Sequence, residues 1–465
     1  MPLAALAPAE DALAAAREIL PGWVVWGRVL APPVFGILVQ LCISEWFIVL
    51  LERRAGPGSG LHWTERARRI ADFSAPLRAC NFCLCAPALF VPALLESALD
   101  PIPRGLVVLL TISMSLVVWY LHGRRLQRRV LGVEIPVREW TRATYAGLLT
   151  GWLPFFAFLS CLIFVGKHPR DPAIVLLLVC TAVLIWSAFA GAWRLLPRLG
   201  LAHDLDVREL VGESGRGVRF LVFDSTHVNA YAVQSLGWVL VTQRARQVLT
   251  DAELAAVLHH ELGHLSESRR VQLMRYLPVL LYLTLAWVRP LLGWIGPPWT
   301  LALLALGWLA AWYAGTRTRK LEQRADAHAH ASVEDSRVYA HALEKIGQAN
   351  LSPAVTDQQG THPHLYDRMV AAGFTPEYPR PTPTRPTVHW RILIAVVVCI
   401  ELARVDALTR PSTVDKDEHS LLVALALGGW TAEHLGTLAT VRDGRGDRRA
   451  AEIFRAAAQA AGSQR

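Results

Sequence analysis

Long apolar runs constrain this chain more than any other feature. A helix that crosses a bilayer needs about 20 mostly apolar residues. Five segments before residue 200 meet that length or come near it: Val29 to Leu51, Phe82 to Leu99, Gly105 to Leu121, Tyr145 to Val165 and Ala173 to Trp193. Two further runs, Tyr276 to Ile295 and Trp299 to Gly315, are separated by Gly296, Pro297 and Pro298 and read as a helical hairpin. Arg289 and Pro290 interrupt the first of these, which predicts a kink or only partial insertion. An eighth run, Ile392 to Leu402, is short and ends in Glu401 and Arg404, so 392–404 is a weaker membrane segment. The expectation is a mainly α, polytopic membrane protein of about 7–8 spans. Composition agrees: only 18% of residues are charged, against roughly 25% in soluble domains.

Charge alternates between the loops. Arg53, Arg54, Arg66, Arg68, Arg69 and Arg78 follow the first run, and Arg124, Arg125, Arg128, Arg129, Arg138 and Arg142 follow the third. The loops after the second and fourth are short, with one or two basic residues each. By the positive-inside rule the N-terminus lies outside, and the fifth helix delivers the chain to the cytoplasm. The net charge of +9 is accounted for by these membrane flanks, so no nucleic-acid partner is expected. The seven cysteines lie mostly in or beside apolar runs, and the odd count argues against a disulfide framework. Cys80, Cys83 and Cys85 lack a second cluster with which to hold a metal. No cleavable signal peptide is evident. Glu45 and Glu96 sit in the first two runs, either as functional carboxylates or as groups near helix ends that face neighbouring helices.

The chain divides into an N-terminal amphipathic segment (1–28), a five-helix membrane region (29–194) and a more polar unit (195–374) that contains the hairpin at 276–315. A Pro-rich linker (375–391), the eighth run and a helical tail (405–465) follow. The tail reads as a single helical hairpin that turns near Asp443, Gly444 and Gly446.

The chemistry concentrates in Leu249 to Glu267. Thr250 and Glu253 form a capping-box pattern, so a helix should begin at Asp251. That helix carries His260-Glu261-Leu262-Gly263-His264, an HExxH motif. Residues four apart share a helix face, so both imidazoles can reach one metal ion. Glu261 sits one residue round, placed to take a proton from water at that metal. Zinc fits two imidazoles but needs a third protein ligand. Downstream, Glu322 and Asp326 are four apart on a probable helix: Glu322 completes a His, His, Glu set, and Asp326 can orient a ligand histidine. The two crossings of the hairpin return Glu322 to the side that holds His260 and His264; an odd number would forbid the site. Taken without the histidines, Glu322 and Asp326 are also what a solvated acidic pair looks like.

Upstream, Val218 to Phe223 and Leu236 to Thr242 read as short strands, a small hairpin or sheet. Between them lies Asn229-Ala230-Tyr231-Ala232. A strand beside a peptidase cleft binds extended substrate through main-chain hydrogen bonds.

The ordered set resembles the HtpX and CAAX-prenyl-protease family of integral-membrane zinc peptidases, which are gluzincins. The matching pieces are NAYA at Asn229 to Ala232, VLVT at Val239 to Thr242, LTDAELAAVLHHELGH at Leu249 to His264 and EQRAD at Glu322 to Asp326. Thr361-His362-Pro363 with Arg368 is similar to the family's H-P-x-x-x-x-R element. The resemblance implies one zinc per chain on His260, His264 and Glu322, with Glu261 as general base and Asp326 behind the ligands. It also implies that Asn229, Ala230, His362 and Arg368 line the cleft. Asn229 and Ala230 would bind substrate backbone, and His362 or Arg368 would stabilise the oxyanion. The alternative for each polar residue is an ordinary helix cap or surface salt bridge. His259, His328, His330 and His364 are read as bystanders, the middle two on a solvated helix. The five N-terminal helices, the eighth run and the tail match nothing in the family.

The expected protein is therefore a zinc metalloendopeptidase of a bacterial cell membrane, with its site facing the cytoplasm and a protein or peptide as substrate. Misfolded membrane proteins and processed or lipidated peptides fit equally. A signal-transducing gluzincin of the β-lactam sensor type and a non-catalytic scaffold are the other readings. The oligomeric state is open.

Overall fold

The computed structural model describes residues 44–73, 101–165, 171–333, 335–356, 363–384 and 431–462, with isolated positions at 11, 37–38, 41–42, 418, 421–422 and 425. The N-terminal amphipathic segment (apart from Asp11), the run Phe82 to Leu99, the eighth run at 392–404, Cys80, Cys83, Cys85 and His362 lie outside the described residues.

Two unnamed helices cover 44–55 and 63–73. Then come α1 (Pro101–Leu126), α2 (Val137–Gly147), α3 (Leu153–Phe164), α4 (Asp171–Ala188) and α5 (Gly191–Arg198). The sheet strands are β1 (Ala202–Asp204), β2 (Arg219–Phe223), β3 (Ala230–Val233) and β4 (Trp238–Thr242). They are followed by α6 (Asp251–Leu265), α7 (Arg269–Met274), α8 (Leu277–Ala286), α9 (Val288–Trp294) and the long α10 (Gly296–Ala331). After α11 (Ser336–Asn350) and α12 (Leu365–Ala371), the tail forms α13 (Ala432–Gly444) and α14 (Arg448–Gly462). The protein is mostly helical with one four-stranded sheet.

The chain splits into two compact units, one of which comprises 48–75 and 123–387. Its sheet has the order β1-β2-β4-β3. This differs from a simple hairpin of Val218–Phe223 with Leu236–Thr242: those two strands, β2 and β4, are parallel neighbours. The NAYA stretch is itself a strand, β3, which pairs antiparallel with β4 and forms the sheet edge. Side chains alternate across the sheet. Phe220, Val239 and Val241 point to a core shared with Leu254, Val257, Leu258 and Leu262 of α6. Leu221, Phe223 and Leu240 point to the opposite core, with Ala146 of α2 and Leu196 of α5. Each fully buried leucine contributes roughly 2 kcal/mol, so this two-sided burial fixes the strand register. α6 begins at Asp251, where the capping box places it: Thr250 N–H donates to Glu253 Oε2 at 2.9 Å, and Glu253 N–H donates to Thr250 Oγ1 at 3.3 Å.

Both arginine-rich loops fold into this same unit. Trp63 packs with Leu351 and Ala354, while Arg66 donates to the Ala55 and Val130 carbonyls. Arg142 donates to Asp224 and to the Gly200 carbonyl. The first part of the Pro-rich segment packs here too: the Tyr378 ring lies 4.8 Å from His62, and Arg380 pairs with Asp367 at 3.1 Å.

Among the described residues one helix, α10, is long and apolar enough to cross a membrane, or up to three spans exist if each bent helix pair is one span. The segment ending in α8 meets α9 at a 63° bend. Pro290 lacks the N–H that would continue the ladder, so the kink falls where the sequence predicts it. α4 meets α5 at a 77° bend, with Ala190 at φ +59°. The expected 7–8 spans are thus not all visible. α3, α4 and α8 share a core of Cys161, Val165, Leu177, Cys180, Leu184 and Ala286. Trp287 Nε1–H donates to Thr181 Oγ1 at 2.8 Å across it.

The other unit contains the tail. α13 and α14 form the expected hairpin, with Gly446 in the turn at φ +83°. Leu422, Leu425, Leu435, Leu438 and Phe454 are its core. In the same unit Glu45 Oε1 lies 3.6 Å from His122 Nε2, so that carboxylate faces a neighbouring helix.

Candidate active site

α6 and α10 cross with the histidines of one facing Glu322 of the other. His260 Nε2 lies 3.7 Å from Glu322 Oε2, and His264 Nε2 lies 3.6 Å from Glu322 Oε1. The imidazole planes stand at 89° with ring centroids 4.9 Å apart. One ligand atom from each of the three residues falls within 4.8 Å of the other two, and all three side chains are buried. Gly263 permits this approach. A Cβ there would meet Ala325 Cα at 3.1 Å and His328 Cβ at 3.2 Å, so any larger residue pushes α10 away.

Each imidazole is held from behind. His260 Nδ1 lies 3.0 Å from Asp326 Oδ1 and 2.9 Å from the Tyr339 hydroxyl. His264 Nδ1 lies 3.1 Å from Glu267 Oε1. A carboxylate beside each Nδ1 favours the tautomer with its proton there, which turns both Nε2 atoms toward a metal. The supports are braced in turn. Arg368 donates from Nε to Asp326 Oδ2 at 3.0 Å, and from Nη2 to Asp326 Oδ1 at 2.7 Å and to the Tyr339 hydroxyl at 2.8 Å. The Tyr339 hydroxyl donates to Asp326 Oδ1 at 2.8 Å. Arg275 clamps Glu267 at 2.6 and 3.0 Å, and Gln234 donates to Glu267 Oε2 at 3.2 Å.

The electrostatics suit a cation. Burial pushes His264 down, but the carboxylates of Glu267, Glu322 and Glu261 outweigh it and hold the imidazole up at about 9. Two imidazole nitrogens and one carboxylate are a donor set that zinc accepts. His260, His264 and Glu322 therefore fit the metal that the HExxH spacing calls for.

Glu261 is buried beside the ligands, and its Oε2 accepts a 2.7 Å hydrogen bond from Ala232 N–H. That bond shows which way the edge strand faces. Tyr231 pairs with Leu240, so the N–H and C=O groups of Ala230 and Ala232 point away from β4. They open on a cleft of about 620 Å³ lined by Asn229, Ala230, Glu261, His264, His364 and Arg368, among others. Asn229 is anchored by its backbone: its N–H donates to Thr242 Oγ1 at 3.0 Å and its carbonyl accepts from Thr242 N–H at 3.0 Å.

The family model described as Peptidase family M48 matches this part of the chain. The match covers residues 206–373. No curated protein matches the chain. The matched segment runs from before β2 to just past α12 and so includes β2, β3 and β4, both helices of the site and the cleft, but not β1. The match indicates a metallopeptidase, and zinc dependence is the property of that family.

The structure brings together the described residues of the HExxH, ExxxD, NAYA and H-P-x-x-x-x-R pieces. His260, His264 and Glu322 converge; Asp326 stands behind His260; Asn229, Ala230, Glu261 and Arg368 line the cleft. Arg368 spends three of its five donors on Asp326 and Tyr339, which leaves Nη1 for the cleft. The bystander histidines are more engaged than expected. His364 lines the cleft, and His330 packs its ring 5.1 Å from Tyr339 instead of facing solvent. His259 is buried, its ring 6.3 Å from that of His328. Tyr339, Glu267, Arg275 and Gly263 were not singled out. Glu267 had a signal, a carboxylate three residues past His264, whereas Tyr339 looks like one more core position of α11.

Proposed function

We propose that the chain is a membrane-embedded zinc endopeptidase that hydrolyses peptide bonds of membrane-associated proteins or peptides at the cytoplasmic face. The buried triad of His260, His264 and Glu322, with Glu261 beside it at the edge strand, carries this reading.

When bound there, zinc supplies Lewis acidity toward a peptide carbonyl and toward water. The protein does the rest. The N–H and C=O of Ala230 and the C=O of Ala232, whose N–H is held by Glu261, are offered to an extended substrate, which aligns it as an added strand whatever its sequence. Glu261 takes the proton of the attacking water and passes it to the departing amine. Its hydrogen bond to Ala232 ties the base to the strand that positions the substrate. Arg368, whose Nε and Nη2 are held by Asp326 and Tyr339, keeps Nη1 as a donor for the oxyanion that develops at the carbonyl.

Two observations support the membrane placement. α8 and α10 expose Leu280, Tyr282, Leu301, Leu306, Trp308 and Trp312, an apolar surface that lipid covers and water does not. The other is parity. The segments 48–75, 123–147, 191–275 and 316–387 pack on one another, Trp63 against Leu351, Arg66 on the Val130 carbonyl and Arg142 on Asp224, yet apolar stretches separate each from the next. Each separator must cross an even number of times, which the apolar runs supply as pairs.

Zinc content and casein cleavage, measured on detergent-purified wild type and Glu261→Gln, test the reading. About one zinc per chain is expected in both. Cleavage is expected only in wild type, with a loss of at least a hundredfold in the variant. Absence of zinc from both would remove the metal site.

A further inference from the structure

Charge on α10 is divided between its two faces. Glu322 and Asp326 face α6 and the metal site. Tyr313, Arg317, Lys320 and Arg324 are spaced by four, three and four residues, which makes one stripe about 180° round the helix from those acids. The stripe forms one wall of a groove of about 520 Å³, and Arg270, Leu273, Met274 and Leu277 form the facing wall. All four cationic side chains are exposed. Among the described residues none of the four is paired with a carboxylate, because the nearby acids are used elsewhere: Glu267 is held by Arg275, and Glu322 and Asp326 lie at the metal site.

The groove is half apolar. Leu273 is 64% exposed and Tyr313 45% exposed, with the Arg317 guanidinium 5.1 Å from the Tyr313 ring centroid. It continues along the same side of α10 to the exposed Leu306 and Leu309. A free anion uses the cations and leaves the leucines wet. A lipid uses both, its phosphate among the guanidinium groups and its chains along the apolar face.

We propose that this groove binds the phosphate headgroup of an anionic phospholipid. The site rests on the membrane placement given above, since it lies where the span of α10 leaves the bilayer. Leu321 lines the groove and precedes Glu322, so an occupied groove holds the turn of α10 that carries a metal ligand.

The test uses the full chain in neutral detergent. Short-chain phosphatidylglycerol, phosphatidylcholine of equal chain length and inorganic phosphate are each titrated, with bound lipid read by native mass spectrometry and unfolding by melting temperature. Phosphatidylglycerol is expected to bind and to raise the melting temperature, with phosphatidylcholine and inorganic phosphate doing neither. Each lost cation should weaken phosphatidylglycerol binding roughly fivefold, so Arg317→Gln/Lys320→Gln/Arg324→Gln should weaken it about a hundredfold. Unchanged zinc content shows that this variant is folded. Arg270→Gln alone, on the facing helix, should weaken binding about fivefold and serves if the triple variant misfolds. Equal binding by both variants and wild type would overturn the site. Equal binding of the two lipids, or of inorganic phosphate, would overturn its assignment to an anionic lipid. Release of the chain from membranes by alkaline carbonate would instead overturn the membrane placement.

Discussion

Tyr339 brings a hydroxyl into an otherwise apolar core and spends it on the metal site. It touches His260, Asp326 and Arg368 at once. Tyr339→Phe keeps the ring and removes this bridge. Partners of this kind set metal affinity by about 10–100-fold. A chelator competition should therefore show zinc binding weakened at least tenfold with the fold retained; equal affinity would mean that Asp326 and Arg368 hold His260 unaided. The ligands themselves were legible in the sequence, because helical spacing puts His260 over His264 and Glu322 over Asp326. Tyr339 was not, since a buried tyrosine and a buried leucine give the same periodic signal. His362 lies outside the described residues.

At the level of elements, the site depends on how closely two helices approach. Gly263 lies between the two ligand histidines and faces the backbone of α10. Gly263→Val should separate α6 from α10, at a cost of about 1–3 kcal/mol in stability. It should also lower zinc occupancy well below one per chain, read by metal analysis of folded protein. Full occupancy would show that α10 follows the displacement without loss. The start of α6 was written in its capping box, a local motif with a local result. β3 was harder to foresee, because four residues give no period and the pairing partner, not the sequence, makes them a strand.

Across the whole molecule, the unit that holds the site is assembled from pieces separated by apolar runs. Reporters fused at Gly58, at Gly132 and at His364 should all register the same side of the membrane. One fused at 166–170, between the fourth and fifth runs, should register the other. A split among the first three would dismantle the even-crossing arrangement. The runs themselves, and the charge of the loops between them, were plain in the sequence. That Trp63 and Arg142 would pack on the catalytic unit was not, because such contacts join positions that no motif links.

The unbroken length of α10 makes it a ruler. Tyr313 marks where the helix leaves its apolar stretch, and Glu322 of the buried triad stands nine residues further on. At about 1.5 Å per residue, the membrane placement proposed above would put the reaction centre about 13 Å from the lipid surface. An extended substrate advances about 3.3 Å per residue, so a chain anchored in the bilayer must unwind roughly four residues before it reaches Glu261. Selectivity would then be a matter of reach: bonds held close to their anchor are protected, and those a few residues out are exposed to cleavage.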